Sequence, residues 1–341
     1  MNSDAPAQPR RRTGKRTAIW SAAVLLLVGG GTVGYSLVTG NSEPDCDGLL
    51  NNASIQRILG PHRSDMSCTD LGAALRDAAT GPTPGQHTLA QARNMRETIR
   101  AISDDVKHRQ DLAIAPGLRK PIASAVADYV RDTQEILVDV NEDYSKRRAP
   151  WRDGHVVRMP AGLLDVTRVM RAVADDPSAY ANLRLAQTHR CAIGLARVPT
   201  KATEDDDVLE LRARECGSAL GFLDGIADDI PESERGKWQT DVLAHLTAHT
   251  SKPPSYRRNP VEHLTSTWRQ GLVRDKPDRT FFLKQQASDL VATWAVGRGL
   301  DPDDAAVDYV QNGALNAAHT GVRTTENAVK CTRQPEEQLC P

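Results

Sequence analysis

Residues 89–106 read LAQARNMRETIRAISDDV. The apolar positions Leu89, Ala92, Met95, Ile99, Ile102 and Val106 recur at steps of 3, 3, 4, 3 and 4. At 3.6 residues per turn this spacing lines one face of a helix with apolar side chains, so it predicts a helix near 88–108. Comparable stripes follow downstream. Ile122, Val126, Val130, Leu137 and Val140 predict a long helix over 119–146, and Leu163, Val166, Val169, Met170 and Val173 a third helix. A fourth opens after Asp176-Pro177 and runs through Leu183, Ala186 and Ala192. A fifth carries Val208, Leu211, Leu220, Leu223 and Ile226. Asn259-Pro260-Val261-Glu262, Asp301-Pro302-Asp303-Asp304 and Pro231-Glu232-Ser233-Glu234 have the capping residue, the proline or the first-turn acids that open helices. Alternating β-branched runs are nearly absent, and the expected fold is an all-α bundle.

Upstream of these stripes, Ala18 to Val38 runs 21 residues without a charge. At about 1.5 Å per residue such a helix covers roughly 30 Å, the thickness of a bilayer core. Trp20 and Tyr35 stand near its ends, Arg10, Arg11, Arg12, Lys15 and Arg16 precede it, and Glu43, Asp45 and Asp47 follow. The positive-inside rule then predicts a single-pass signal-anchor with residues 1–17 cytoplasmic and the main domain extracytoplasmic. The competing reading is a signal peptide cleaved near Val38-Thr39-Gly40, against which the run is longer than the usual signal core. Gly30 and Gly34 have the spacing of a helix-contact face, which would make a homodimer; the alternative is that glycine is simply common in such spans.

All six cysteines follow the apolar run: Cys46, Cys68, Cys191, Cys216, Cys331 and Cys340. An even number in an oxidising compartment favours disulfides. Of the 15 pairings open to six cysteines, proximity favours Cys46–Cys68, Cys191–Cys216 and Cys331–Cys340. No C-x-x-C pair supports zinc. The expected organisation is a basic tail (1–17), an anchor (18–40), a small Cys-stapled helical unit (41–80), a linker (81–87) through Gly81-Pro82-Thr83-Pro84-Gly85, a helical bundle (88–330) and a Cys-closed tail (331–341).

Charge and composition exclude several classes of function. The chain of 341 residues carries 43 basic and 44 acidic side chains, a net of −1, which argues against a nucleic-acid binder. Residues 1–17 hold five of the basic residues and one acid, so the remainder is mildly acidic at −5, with no general attraction to anionic polymers. Aromatic side chains, 5 Trp, 6 Tyr and 3 Phe, are too few for a stacking platform. Arginine supplies 33 of the 43 basic residues, a bias in keeping with GC-rich bacterial coding.

No G-x-S-x-G elbow, S-x-x-K pattern or phosphate loop occurs. Gly217-Ser218-Ala219-Leu220-Gly221 misplaces the serine and reads instead as small residues that let two helices approach closely. Adjacent acids such as Asp228-Asp229 point in different directions on a helix, so they suit caps and solubility better than a paired-carboxylate centre. His245 and His249 share a helix face and can chelate a divalent metal with Glu262 or His263 as third ligand, but the catalytic Glu of H-E-x-x-H is missing. The alternative is a pair of solvated histidines.

Lys146-Arg147-Arg148-Ala149-Pro150-Trp151-Arg152 is basic and offers Trp151 as an anchor, the residue types that dominate protein interfaces. Arg147, Arg148, Trp151 and Arg152 are therefore candidate partner contacts, unless Trp151 tucks into the bundle. With no cofactor expected apart from that divalent metal, the leading expectation is a non-catalytic, membrane-anchored module of a bacterial envelope. It would bind another envelope or secreted protein as a receptor, adaptor, scaffold or immunity-type protein. The alternative is a metal-assisted hydrolase centred on His245 and His249.

Overall fold

The computed structural model describes residues 45–60, 66–107, 109, 111–139, 141–199, 206–274 and 283–334. The span 18–40, with Gly30 and Gly34, and the C-terminal Cys340 lie outside them. Among the described residues the chain is mostly helical, and no helix is long and apolar enough to cross a membrane.

The chain builds α1 (Asp47–Leu50), α2 (Ala53–Leu59), α3 (Cys68–Ala79), α4 (Leu89–Val106), α5 (Pro116–Asp128), α6 (Val130–Leu137) and α7 (Asp143–Lys146). A hairpin of β1 (Trp151–Asp153) and β2 (Val156–Arg158) follows. Then come α8 (Leu163–Ala174), α9 (Pro177–Ala196), α10 (Asp206–Asp228), α11 (Glu232–Thr247), α12 (Pro260–Arg274), α13 (Gln286–Arg298) and α14 (Ala305–Arg333). Helix α9 is the hub, packed against α5, α10, α11 and α12, while α10 runs alongside α14.

Local rules account for most helix ends. Thr88 accepts from the Gln91 amide while the Gln91 side chain reaches back to the Thr88 amide, a closed capping box at the start of α4. Asp176 accepts from the Ser178 and Ala179 amides, with Pro177 at the first helical position of α9. Asn259 accepts from the Glu262 amide at the start of α12, but the Glu262 carboxylate turns forward to the Ser266 hydroxyl (2.7 Å) rather than back to the cap. The cap of α14 is Asp304, not Asp301, which stabilises the preceding turn by accepting from the Asp303 amide.

The helix expected over 119–146 is three helices. Tyr129 leaves helical geometry between α5 and α6, and its buried hydroxyl donates to the Ala79 carbonyl at 2.8 Å. Asp139, with φ of 49°, then turns the chain away after α6. The α10 stripe is also shifted: Val208 and Leu211 are exposed, and Leu209, Ala213, Cys216 and Leu220 face the core. Val208 and Leu211 keep the apolar period but fall on the side that no neighbouring helix covers.

Residues 81–87, expected as a linker, form the turn between α3 and α4. It is held by Asp128, which accepts from the Gly85 amide (2.8 Å) and pairs with His87 (2.9 Å), itself stacked on Tyr129. Leu49, Ile55, Leu71 and Leu75, before this turn, share one core with Met95, Ile99 and Ile102 after it.

The Cys46–Cys68 disulfide is present and ties the start of α1 to the start of α3. Cys331 is disulfide-bonded as well. The Cys191–Cys216 bond is a correction: the two face each other across the α9–α10 contact as free, buried thiols. Burial pushes the Cys216 thiol pKa up, and the neighbouring Cys191 adds to this, which keeps it protonated.

The small-residue reading of Gly217 to Gly221 holds. A Cβ built at Gly221 would lie 2.0 Å from the Ala318 carbonyl oxygen, and one at Gly217 would lie 2.1 Å from that of Ala314. The backbones of α10 and α14 therefore touch along this seam.

Candidate functional site

The basic segment singled out in the sequence runs from the end of α7 into β1. The hairpin pairs Trp151 with Arg158, Arg152 with Val157 and Asp153 with Val156. Gly154 has φ of 59°, the left-handed conformation that a two-residue hairpin loop requires at its first position. Trp151 is only half exposed: it packs edge-on against the buried Tyr144 (5.1 Å), and the Arg147 guanidinium lies over its ring (5.0 Å). It is thus the tucked tryptophan rather than a free anchor, while Arg147, Arg148 and Arg152 are exposed.

Beneath the hairpin sits a polar cluster that sequence reasoning missed. Arg158 points inward, 4% exposed, and donates to Glu135 (3.0 Å), to the Tyr144 hydroxyl (3.1 Å) and to Asp153 (3.0 Å). Tyr144 in turn donates to Asp132 at 2.6 Å. The sequence signal for the hairpin was Asp153-Gly154, a turn dipeptide between two short runs. Nothing in the sequence showed that Arg158 would face inward.

Burial raises the Asp132 carboxyl from 3.8 to about 6, against the opposing pull of the Tyr144 hydroxyl and Arg158. The folded chain therefore holds this proton to higher pH than the unfolded chain does. Stability contributed by Asp132 is complete below about pH 4 and is lost as pH rises towards 6. Relative to wild type, Asp132→Asn should gain up to about 3 kcal/mol between pH 4 and pH 7. Urea midpoints of both proteins at the two pH values check this; parallel shifts would show that Asp132 is already ionised at low pH.

The proposed metal ligands are scattered in role. His245 and His249 are exposed at the end of α11 and just beyond it, Glu262 accepts from Ser266, and His263 bonds the Pro254 carbonyl (2.7 Å). Among the described residues no three His, Cys, Asp or Glu side chains form a group suited to a metal ion.

A cavity of about 260 Å³ opens between α6, α9 and α10. Arg131, Arg190, Arg197 and Arg212 line it, together with Glu135, Glu215 and Cys216. Arg131 pairs with Glu135 (3.5 Å) and Arg212 with Glu215 (2.7 Å). Glu135 is shared with Arg158, so it joins this cavity to the cluster under the hairpin. The sequence hid the cavity because its four arginines come from three helices.

No family model, curated protein or solved structure matches this chain.

Proposed function

We propose that this chain is a single-pass membrane protein, N-terminus inside, whose outer helical domain binds another envelope or secreted protein without catalysing a reaction. The observation that carries the reading is the hairpin. Its underside is clamped by Arg158 to Asp153 on β1 and to Glu135 on α6, while Arg147, Arg148 and Arg152 stand exposed above. Rigid support lowers the entropy lost when exposed side chains dock, and arginine is enriched among the residues that dominate interfaces. The partner that fits is a protein with an acidic face. The charge-free run from Ala18 to Val38, with arginines on one side and acids on the other, supports the membrane assignment.

A photo-reactive residue in place of Arg152 tests the docking in intact cells. We expect one discrete cross-linked partner. Arg147→Ala with Arg148→Ala should weaken its capture about tenfold, since an interface arginine that matters is worth more than about 1 kcal/mol. Capture indifferent to both substitutions would remove the hairpin from the interface. Protease added outside the cell should digest the helical domain and spare residues 1–17; the reverse pattern would overturn the topology.

A further inference from the structure

Arg190 stands out within the arginine-lined cavity. Its Nε is buried and has no hydrogen-bond partner among the described residues. Arg131 and Arg212, by contrast, are 44% and 43% exposed and each has a carboxylate. A guanidinium cannot shed its charge, and a buried N–H donor without an acceptor is unfavourable unless something else supplies one. Burial lowers the Arg190 pKa, the guanidiniums of Arg131 and Arg197 push in the same direction, and Glu135 and Cys191 only partly oppose them. Arg197, exposed at the end of α9, lines the same cavity and forms no ion pair among the described residues. Four guanidiniums against the two carboxylates Glu135 and Glu215 leave the lining two positive charges in excess. Glu135 offsets less than a full charge here, because Arg158 also draws on it.

We propose that this cavity binds a phosphate group, with Arg190 as the inner ligand and Arg197 as the outer one. An excess of two positive charges matches a phosphate or phosphate monoester, which carries about −1.5 to −2 near pH 7, better than a single carboxylate. Planar guanidinium forks bond phosphate oxygens in pairs. Val198 and Val208 add apolar lining, on which an organic substituent would rest. Both free phosphate and a phosphorylated organic molecule present this chemistry. The proposal goes beyond the docking of a protein at the hairpin and stands without it.

Isothermal titration of the full chain in detergent, with inorganic phosphate, glycerol 3-phosphate and acetate as probes, is the test. At least one phosphate probe should bind saturably at one per chain, and acetate at least tenfold more weakly. Tighter binding of glycerol 3-phosphate would point to an organic phosphate, and tighter binding of inorganic phosphate to the free ion; either supports the site. Arg190→Ala should weaken binding at least tenfold. Arg197→Ala, at an exposed position that threatens the fold far less, should weaken it as well. Arg214→Ala, an exposed arginine on α10 outside this cavity, should change nothing. No saturable phosphate binding, equal binding of acetate, or affinity unmoved by both the Arg190 and Arg197 substitutions would overturn the proposal.

Discussion

Asp224→Ala should destabilise the folded domain by about 3–5 kcal/mol, the usual effect of stranding one half of a buried ion pair. Arg184 on α9 is completely buried, and its Nη1 donates to Asp224 on α10 at 2.6 Å and to the Tyr180 hydroxyl at 3.0 Å. Its Nε donates to Gln286 (2.9 Å) and its Nη2 to the Leu283 carbonyl (2.7 Å). Only Asp224 among these partners carries a compensating charge. Burial outweighs Arg184 and lifts the Asp224 carboxyl above its usual range, so the pair is not a large net source of stability. It is nonetheless expensive to break from one side, because a guanidinium cannot neutralise itself. Combining Asp224→Leu with Arg184→Met should recover part of the loss by removing both charges at once. Urea unfolding measures all three proteins. A loss below about 1 kcal/mol for Asp224→Ala would mean that Arg184 finds another anion or water, contrary to a sealed site.

Gly221→Ala comes second, with an expected loss of about 3 kcal/mol and a melting temperature lower by several degrees. The added methyl would collide with the Ala318 carbonyl oxygen at 2.0 Å, where backbone, not a movable side chain, must give way. Alanine ordinarily stabilises a helix interior by roughly 1 kcal/mol over glycine, so the sign of the effect separates packing from propensity. Gly236→Ala on α11 is the control, since nothing lies within 4 Å of a Cβ there. That substitution should be neutral or stabilising. If Gly221→Ala also stabilises, α10 and α14 are not in backbone contact.

Particular residues show how far the sequence could be read. The stripe from Leu89 to Val106 predicted α4 almost to its ends, though Leu89 itself is exposed, because helix periodicity and capping act within one or two turns. Asp176-Pro177 marked the start of α9 for the same reason. The helix expected over 119–146 failed at Tyr129, whose hydroxyl reaches a carbonyl 50 residues away. No local pattern encodes that contact. For Trp151 the sequence left open an anchor or a tucked ring, and the ring packs against Tyr144; Cys191 and Cys216, expected as a disulfide, are free thiols.

The candidate sites were less legible still. Arg147, Arg148 and Arg152 stood out because they are consecutive or nearly so, whereas Arg158 and Arg190 resembled any other arginine of a helical chain. Their character comes from what surrounds them. Arg158, on β2, is defined by Asp132, Glu135 and Tyr144 on two helices, and Arg190 by the absence of an acceptor for its Nε among the described residues.

The amino-acid sequence alone therefore determined the helical class, several helix starts and the small-residue seam of α10. Each depends on side chains within a few residues of one another. Only the tertiary structure decided which charges are buried together, where the hairpin sits and which arginines share a cavity. Those outcomes join groups such as Arg184 and Gln286, 102 residues apart, and they exist only once packing has removed water from between them.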